Sequence, residues 1–314
     1  MTRYLAGRVG QAILVLWAAY SLSFILLQLL PADAILIKFQ NPDLGLSAAQ
    51  IQEIRVAYGE NAPLWQQYLT TLGNMLRGNF GYSVEAGVSV SQLISTNLPA
   101  TLRLAGLGFI CAIVLAVVIS AASTLTPLRW LRTVFANLPA LFIAIPTFWL
   151  GIALIQLFSF HWRLIPVINP GFWQGLILPV ATLAVPISAP LAQLLMRSID
   201  QVLTQPYIAV ARAKGGSHAG VLWRHVARNA LLPVLTVAGL LLGELIAGAL
   251  ITETVFGLNG LGQLTQRAVN NQDGAVLQAV VMISALSFVV INLVVDLIYP
   301  LLDPRLKSIR GVIA

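Results

Sequence analysis

Charge is scarce in this chain. Charged residues make up 9% of its 314 residues, whereas soluble domains carry about a quarter. That excludes an ordinary water-soluble domain. Cysteine is nearly absent as well. Cys111 is the single one and sits inside an apolar run, so it indicates neither a disulfide framework nor a thiolate metal site. His161, His218 and His225 lack transition-metal spacing, and no carboxylate falls between His218 and His225. There is no HExxH, no GxGxxG and no Walker A lysine motif. The sequence therefore holds no catalytic constellation, and any nucleotide hydrolysis must come from another protein.

What is present is apolar. Hydrophobic residues reach 58% of the chain and mean hydropathy is +0.85, the composition of an all-α polytopic membrane protein. The net charge of +7 could suggest nucleic acid. Its placement argues instead for membrane topology, because the basic residues lie in short loops between apolar runs. Six spans are expected, at Val9–Leu30, Ala100–Ala122, Thr133–Phe158, Leu176–Met196, Ala230–Ile251 and Val276–Ile298. The first run lacks a convincing small-residue cleavage pattern and reads as a retained anchor. Pro139 and Pro146 interrupt the third span, and the fourth carries Pro179, Pro186 and Pro190.

Lysine and arginine set the orientation. Arg3, Arg8, Arg129, Arg132, Arg197, Arg212, Lys214, Arg224, Arg228, Arg305, Lys307 and Arg310, 12 of the 18 basic residues, fall on one side. The positive-inside rule makes that side cytoplasmic, with both termini inside. Lys38, Arg55, Arg77, Arg163 and Arg267 fall on the other side, and Arg103 lies within a span near its outer end. Residues 31–99 form a large outer region with two short surface helices, at Ser47–Tyr58 and Ala62–Leu76. The second places Leu64, Tyr68, Leu72 and Met75 on one face. Val90–Leu98 reads as a further short amphipathic piece, and 253–275 as an outer loop. The chain thus divides into 1–99, a five-helix core at 100–299 with a cytoplasmic loop at 197–229, and a tail at 300–314.

That loop is the most informative stretch. Tyr207–Pro233 reads YIAVARAKGGSHAGVLWRHVARNALLP and contains no acid. Its front half to Lys214 can be helical, Gly215-Gly216 ends that helix, and Ser217 can cap a second one. Ala209, Ala211 and Ala213 with the two glycines give a low surface that fits a groove in a soluble partner. The alternative is a basic connector held to lipid headgroups. Glu244, midway through the fifth span, either lines a cavity or is neutralised in a helix contact. Gly239, Gly243, Ala247 and Gly248 allow close helix approach. Pro146 and Pro186 either bend packed helices or bound a substrate path. A stand-alone secondary transporter or channel, or a membrane scaffold, would also carry such features.

The loop resembles the cytoplasmic signature of permease subunits of binding-protein-dependent ABC importers, in the branch for dipeptides, oligopeptides and nickel. The resemblance rests on Tyr207-Ile-Ala-Val-Ala-Arg-Ala-Lys-Gly-Gly-Ser217, Arg224-His225, Arg228-Asn229-Ala230 and Leu232-Pro233. Gly78-Asn79-Phe-Gly81-Tyr-Ser83, Leu98-Pro-Ala-Thr101, Phe148-Trp149-Leu150, Glu253-Thr-Val-Phe256, Gly260-Leu-Gly262, Asp273 and Asp303-Pro-Arg305 extend it over residues 1 to 306. Ala209 stands where the wider import signature begins with glutamate. Asn259 precedes Gly260 where the branch has proline, so the outer mouth formed by Glu253, Phe256, Asn259, Gly260 and Asp273 is expected to differ in shape.

The resemblance implies a multi-pass protein of the bacterial inner membrane that forms half of a translocation path. Its partners would be a second homologous permease, two ATPase subunits and an extracytoplasmic substrate-binding protein, with membrane lipid around it and no nucleic acid. ATP and Mg2+ would sit on the ATPases, and this chain would bind no cofactor. Tyr207, Ala209, Ala211, Arg212, Ala213, Lys214, Gly215, Gly216, Ser217, Arg224 and His225 would meet an ATPase. Di- or oligopeptides are the broad substrate class, with nickel-chelate or glutathione-like substrates as alternatives.

Overall fold

The computed structural model describes residues 2–29 and 62–302. The surface helix expected over Ser47–Tyr58 and the basic tail at Arg305, Lys307 and Arg310 lie outside them. The described chain is helical, with one antiparallel bridge between Tyr82 and Ser89. In order it forms α1 (Thr2–Leu29), α2 (Leu64–Leu76), α3 (Val90–Leu125), α4 (Arg129–Ala144) and α5 (Thr147–Leu154), which runs into a π-helical stretch, Ile155–His161. Then come α6 (Gln174–Leu203), α7 (Pro206–Ala213) and α8 (His218–Val221), followed by a π-helical turn, Leu222–Val226. The chain finishes with α9 (Ala227–Phe256), α10 (Leu261–Asn270) and α11 (Gly274–Leu302). Gly7–Leu29, Val90–Leu125, Gln174–Leu203, Pro233–Phe256 and Gly274–Val295 are each long and apolar enough to cross a bilayer. A helix satisfies its own backbone, which lipid cannot do.

The chain packs as two units. One comprises the described residues of Met1–Thr101 and Gly257–Val289, the other those of Leu102–Phe256 and Val290–Ala314. In the first unit, α2 is tied to α1. The Tyr20 hydroxyl donates to the Tyr68 carbonyl at 2.7 Å, the Ser21 and Tyr68 hydroxyls are 2.8 Å apart, and the rings of Tyr20, Phe24 and Tyr68 cluster. The half-buried face of α2 holds Tyr68, Leu72 and Met75. Leu64, expected on that face, lies in the first turn and is 59% exposed. The Thr101 hydroxyl accepts from the Leu261 N–H at 2.9 Å and so fixes the start of α10.

In the second unit the contacts of α3 and α6 advance in the same direction. A Cβ on Gly108 would lie 3.1 Å from the Leu183 Cβ, and three turns on the Ser120 hydroxyl donates to the Ala192 carbonyl at 3.2 Å. The two helices are therefore parallel, and residues 126–173 must bring the chain back from the end of α3 to the start of α6. The α4–α5 pair does this, although it bends by 105° at its break. It leaves from the end of α3, where Arg132 donates to the carbonyls of Ser123 and Thr124. Further on, Gly151 of α5 packs against Thr182, Val255 and Phe256. By length and composition the pair can count as one further span, broken at Pro146, beside the five unbroken helices.

Several expectations need correction. Val90–Leu98 is not a separate piece, since α3 runs unbroken through Pro99. Pro139, Pro179, Pro186 and Pro190 stay inside continuous helices. Only Pro146 marks a break, because Ile145 before it adopts φ −89°, ψ 120°, the extended geometry that a following proline ring favours. The segment expected as an outer loop from Glu253 is shorter than read. Glu253 and Phe256 belong to the last turn of α9, and 261–270 is the helix α10. Its strongly one-sided pattern places Leu261 and Ala268 inside and Arg267 outside.

Candidate functional site

The segment from Pro206 to Val226 is built as a helix, a hairpin-tight turn and a second helix. Pro206 opens α7, where its missing N–H costs nothing. At the other end the Gly215 N–H donates to the Arg212 carbonyl at 2.9 Å and the Gly216 N–H to the Ala211 carbonyl at 3.2 Å. This paired 5→2 and 6→1 closure is a Schellman motif. It requires Gly215 at φ +86°, a region that side-chain-bearing residues avoid. Gly216 is constrained by space, since a Cβ there would lie 2.9 Å from the Ala211 oxygen and 3.0 Å from Val221 Cγ2. The chain then restarts at once. The Ser217 hydroxyl accepts from the Gly220 N–H at 3.1 Å and caps the second helix.

One side of this element is anchored. Ile208, Val221, Leu222 and Val226 are buried with Leu195 and Ile199 of α6 and with Ala230 and Val234 of α9. Ile208 is 1% exposed and Val226 is fully buried. Tyr207 is held from the far strut, its hydroxyl accepting from Asn229 Nδ2 at 3.0 Å. The rest faces outward. Ala209, Val210, Arg212, Ala213, Lys214, Gly215, Gly216 and Ser217 are exposed, as are Arg224 and His225. The element is thus a rigid knob with a small-residue, basic surface and an apolar root.

The structure separates residues that the sequence grouped. Ala209 and Ala213, one turn apart, are exposed. Ala211 is half-buried and turned to the Gly216 closure, so the three alanines do not form one row. Ile208 as the anchor was missed, as were Val210 and Trp223, exposed by 54% and 55%. The apolar residue before each alanine in Ile208-Ala-Val-Ala was the available signal. Among the described residues, no three His, Cys, Asp or Glu side chains gather as a possible metal site.

In the spans, Gly239 and Gly243 are buried in α9. A Cβ on Gly239 would overlap Val295 of α11, at 2.2 Å from its Cγ1. Gly248 packs against Leu183, whereas Ala247 is exposed and is not a contact residue within the chain. Glu244 is also exposed. With Leu240, Ala247 and Ile251 it forms one exposed stripe along α9. Pro146 is exposed and Pro186 half-buried.

The residues read as an outer mouth are largely structural. Asp273 is 1% exposed. Its Oδ2 accepts from the Ser83 hydroxyl at 2.6 Å and its Oδ1 from the Val276 N–H at 3.3 Å. It caps α11 and pins the 81–90 turn. Glu253 is 1% exposed as well, and Gly260 is buried at the start of α10. Neither carboxylate sits at an open mouth.

Comparison with known proteins gives this architecture a context. Residues 107–308 match the family model of the binding-protein-dependent transport system inner membrane component. The chain belongs to that family. It is 34% identical over 318 residues to the oligopeptide transport system permease protein AppB of Bacillus subtilis, with 98% of this chain and 100% of that protein covered. It is 34% identical over 308 residues to the glutathione transport system permease protein GsiC of Salmonella choleraesuis, with 98% and 99% covered. The inward-facing MetNI methionine ABC transporter aligns with a TM-score of 0.57 at 17% identity, over 68% of this chain and 97% of that one, a likeness of fold. The permease is a multi-pass component of the bacterial inner membrane and a transmembrane subunit of an ATP-driven importer. Family membership implies a paired permease and ATPase subunits, which carry the ATP chemistry.

Proposed function

We propose that this permease imports peptides, that it stands with both termini in the cytoplasm, and that Tyr207–Val226 is where an ATPase subunit engages it. The observation that carries the reading is the knob itself. Its turn is closed by two backbone hydrogen bonds, its root is buried, and its outer face presents small residues with the basic side chains and the exposed Tyr207, Val210 and Trp223. A rigid element can transmit displacement to the α6–α9 core, whereas a loose basic loop cannot. Arg212, Lys214, Arg224 and His225 supply donors for acidic groups on the ATPase surface. A homologous second permease completes the path, a substrate-binding protein delivers the ligand from outside, and ATP with Mg2+ is held by the ATPases. Closure of the ATPase pair drives alternating access through the two knobs.

In functional terms residues 1–99 flank the core, 100–299 carry the path and the knob, and 300–314 form a cytoplasmic tail. The exposed stripe of Glu244 and Ala247 faces the translocation path, since a carboxylate is costly against lipid. Peptide is favoured as substrate by the relatives of matching length that are named for oligopeptide transport. The glutathione relatives support a second reading in which the substrate is a short γ-linked peptide.

The test is reconstitution of the complete importer in liposomes with Ala211→Trp or Gly215→Val. Uptake should fall while basal ATPase activity persists and loses its stimulation by the loaded binding protein. Normal uptake with normal stimulation would remove the knob from the coupling role.

A further inference from the structure

An open apolar groove of about 590 Å³ runs between α3 and α6. Leu107, Cys111 and Val118 line one wall, and Trp173, Ile177 and Val185 the other. No acid or base lies in its lining. On α3 the wall residues continue a single stripe that begins one turn earlier with Arg103. The Arg103 guanidinium is exposed and stands 4.9 Å from the Phe172 ring centroid. Phe172 meets Trp173 edge to face, with centroids 5.1 Å apart. A cation over one aromatic ring, itself in contact with a second, thus marks one end of the groove, and an uncharged trough leads away from it.

We infer that this groove binds one acyl chain of an anionic glycerophospholipid whose headgroup phosphate is held by Arg103. The dimensions agree. Leu107 to Val118 spans about 16 Å of helix, close to the depth of one leaflet, about 15 Å. The charges agree as well. The lining itself offers the guanidinium no acid. A phosphate brings its own negative charge and leaves the guanidinium at the interface, where arginine is favoured. Tryptophan at the mouth suits the same depth. The inference requires only that α3 and α6 cross a bilayer, and it is independent of the coupling role of the knob.

Cys111, the single cysteine, is exposed inside the groove and reports on its occupancy. The assembled importer is placed in nanodiscs of phosphatidylcholine with or without phosphatidylglycerol. Alkylation of Cys111 by a membrane-permeant maleimide is followed by peptide mass spectrometry, and retained lipid by native mass spectrometry. Phosphatidylglycerol should slow alkylation and be retained about fivefold over phosphatidylcholine, the ratio that one basic side chain contributes near anionic lipid. Arg103→Gln should abolish the preference, Arg103→Lys should keep part of it, and Val180→Trp should lower retention of both lipids. Equal retention of the two lipids by the unaltered protein, or an undiminished preference in Arg103→Gln, overturns the proposal. So does Cys111 protection that depends on the second permease and not on lipid, which would make the groove a protein interface.

Discussion

The Gly216 N–H donates to the Ala211 carbonyl at 3.2 Å, and a Cβ added to Gly216 would lie 2.9 Å from that same oxygen. One atom therefore sets both the closure of the turn and the ban on a side chain. Gly215 is restricted differently, by its φ of +86° with open space around it. The two glycines should respond to different replacements. Gly215→Asn should be tolerated, since asparagine enters the left-handed region, whereas Gly215→Val should cost about 1–2 kcal/mol. At Gly216 even alanine must open the turn. Uptake by the reconstituted importer should fall more for Gly216→Ala than for Gly215→Asn, and the reverse order would contradict this assignment.

Asp273 performs two tasks with one carboxylate, capping α11 and receiving the Ser83 hydroxyl. Asp273→Ala should remove a helix cap, about 1 kcal/mol, and leave the buried Ser83 hydroxyl proton without its acceptor, about 1–3 kcal/mol more. Ser83→Ala should leave the cap in place and remove the second contact together with the Ala86 N–H bond to the same hydroxyl. Thermal unfolding of the purified importer should therefore rank Asp273→Ala well below Ser83→Ala, with proteolysis beginning in the 84–88 turn. Equal melting of the two variants would mean that the carboxylate serves one partner only.

The helical spans and the helix-turn-helix were legible in the sequence because composition and backbone demands act locally. A run of apolar residues must become a helix in lipid, and Gly215-Gly216-Ser217 can end and restart one within three residues. What was not legible depends on partners distant in the chain. Asp273 reads as an exposed loop acid until Ser83 meets it from almost two hundred residues away. Glu253 reads as a loop residue because apolarity fades before α9 ends. The prolines of α6 read as bends or borders of a path, yet they stay inside one continuous helix that packs against α9, α4 and α5. Ile208 reads as one more apolar residue in a basic loop, although it anchors the loop to the core.

Gly239 and Val295 test the tightest helix approach. Gly239→Ala places a methyl 2.2 Å from Val295 Cγ1, so α9 and α11 must separate or Val295 must move, at about 1–3 kcal/mol. Shortening the opposing residue should relieve the clash. In detergent, Gly239→Ala should lower the melting temperature, Val295→Ala should lower it slightly, and the pair should recover part of the loss, since the Cβ that alanine keeps at 295 still lies 2.9 Å from the new methyl. Additive losses would place the two residues out of contact.

Glu244 lies on an exposed stripe of a membrane-spanning helix, between Leu240 and Ile251, which are 55% and 53% exposed. If that stripe faces water and substrate, Glu244→Leu should abolish or reshape uptake while leaving assembly intact, and Glu244→Gln should retain part of it. A carboxylate facing lipid predicts the opposite. Removing it would relieve about 2.5–3.5 kcal/mol, so Glu244→Leu would then raise protein yield with uptake unchanged. Uptake normalised to assembled complex separates the two.

Ile208 and Val210 are two residues apart on α7 and face opposite environments, 1% and 54% exposed. The contrast separates holding the knob from using it. Ile208→Ala removes a buried side chain from the cluster that joins α6, α7 and α9, and should cost about 2–5 kcal/mol. Its first consequence should be local, with faster proteolysis and hydrogen exchange across 206–217 before global melting. Val210→Asp leaves that cluster untouched, so the melting temperature of the permease alone should stay put. If the exposed face receives an ATPase, the new charge sits in the contact, and ATPase subunits should dissociate from the purified complex more readily. A Val210→Asp importer that keeps its ATPases and its uptake would place the docking surface elsewhere on the knob. Ile208→Ala with unchanged exchange at 206–217 would show that the root is not what holds it.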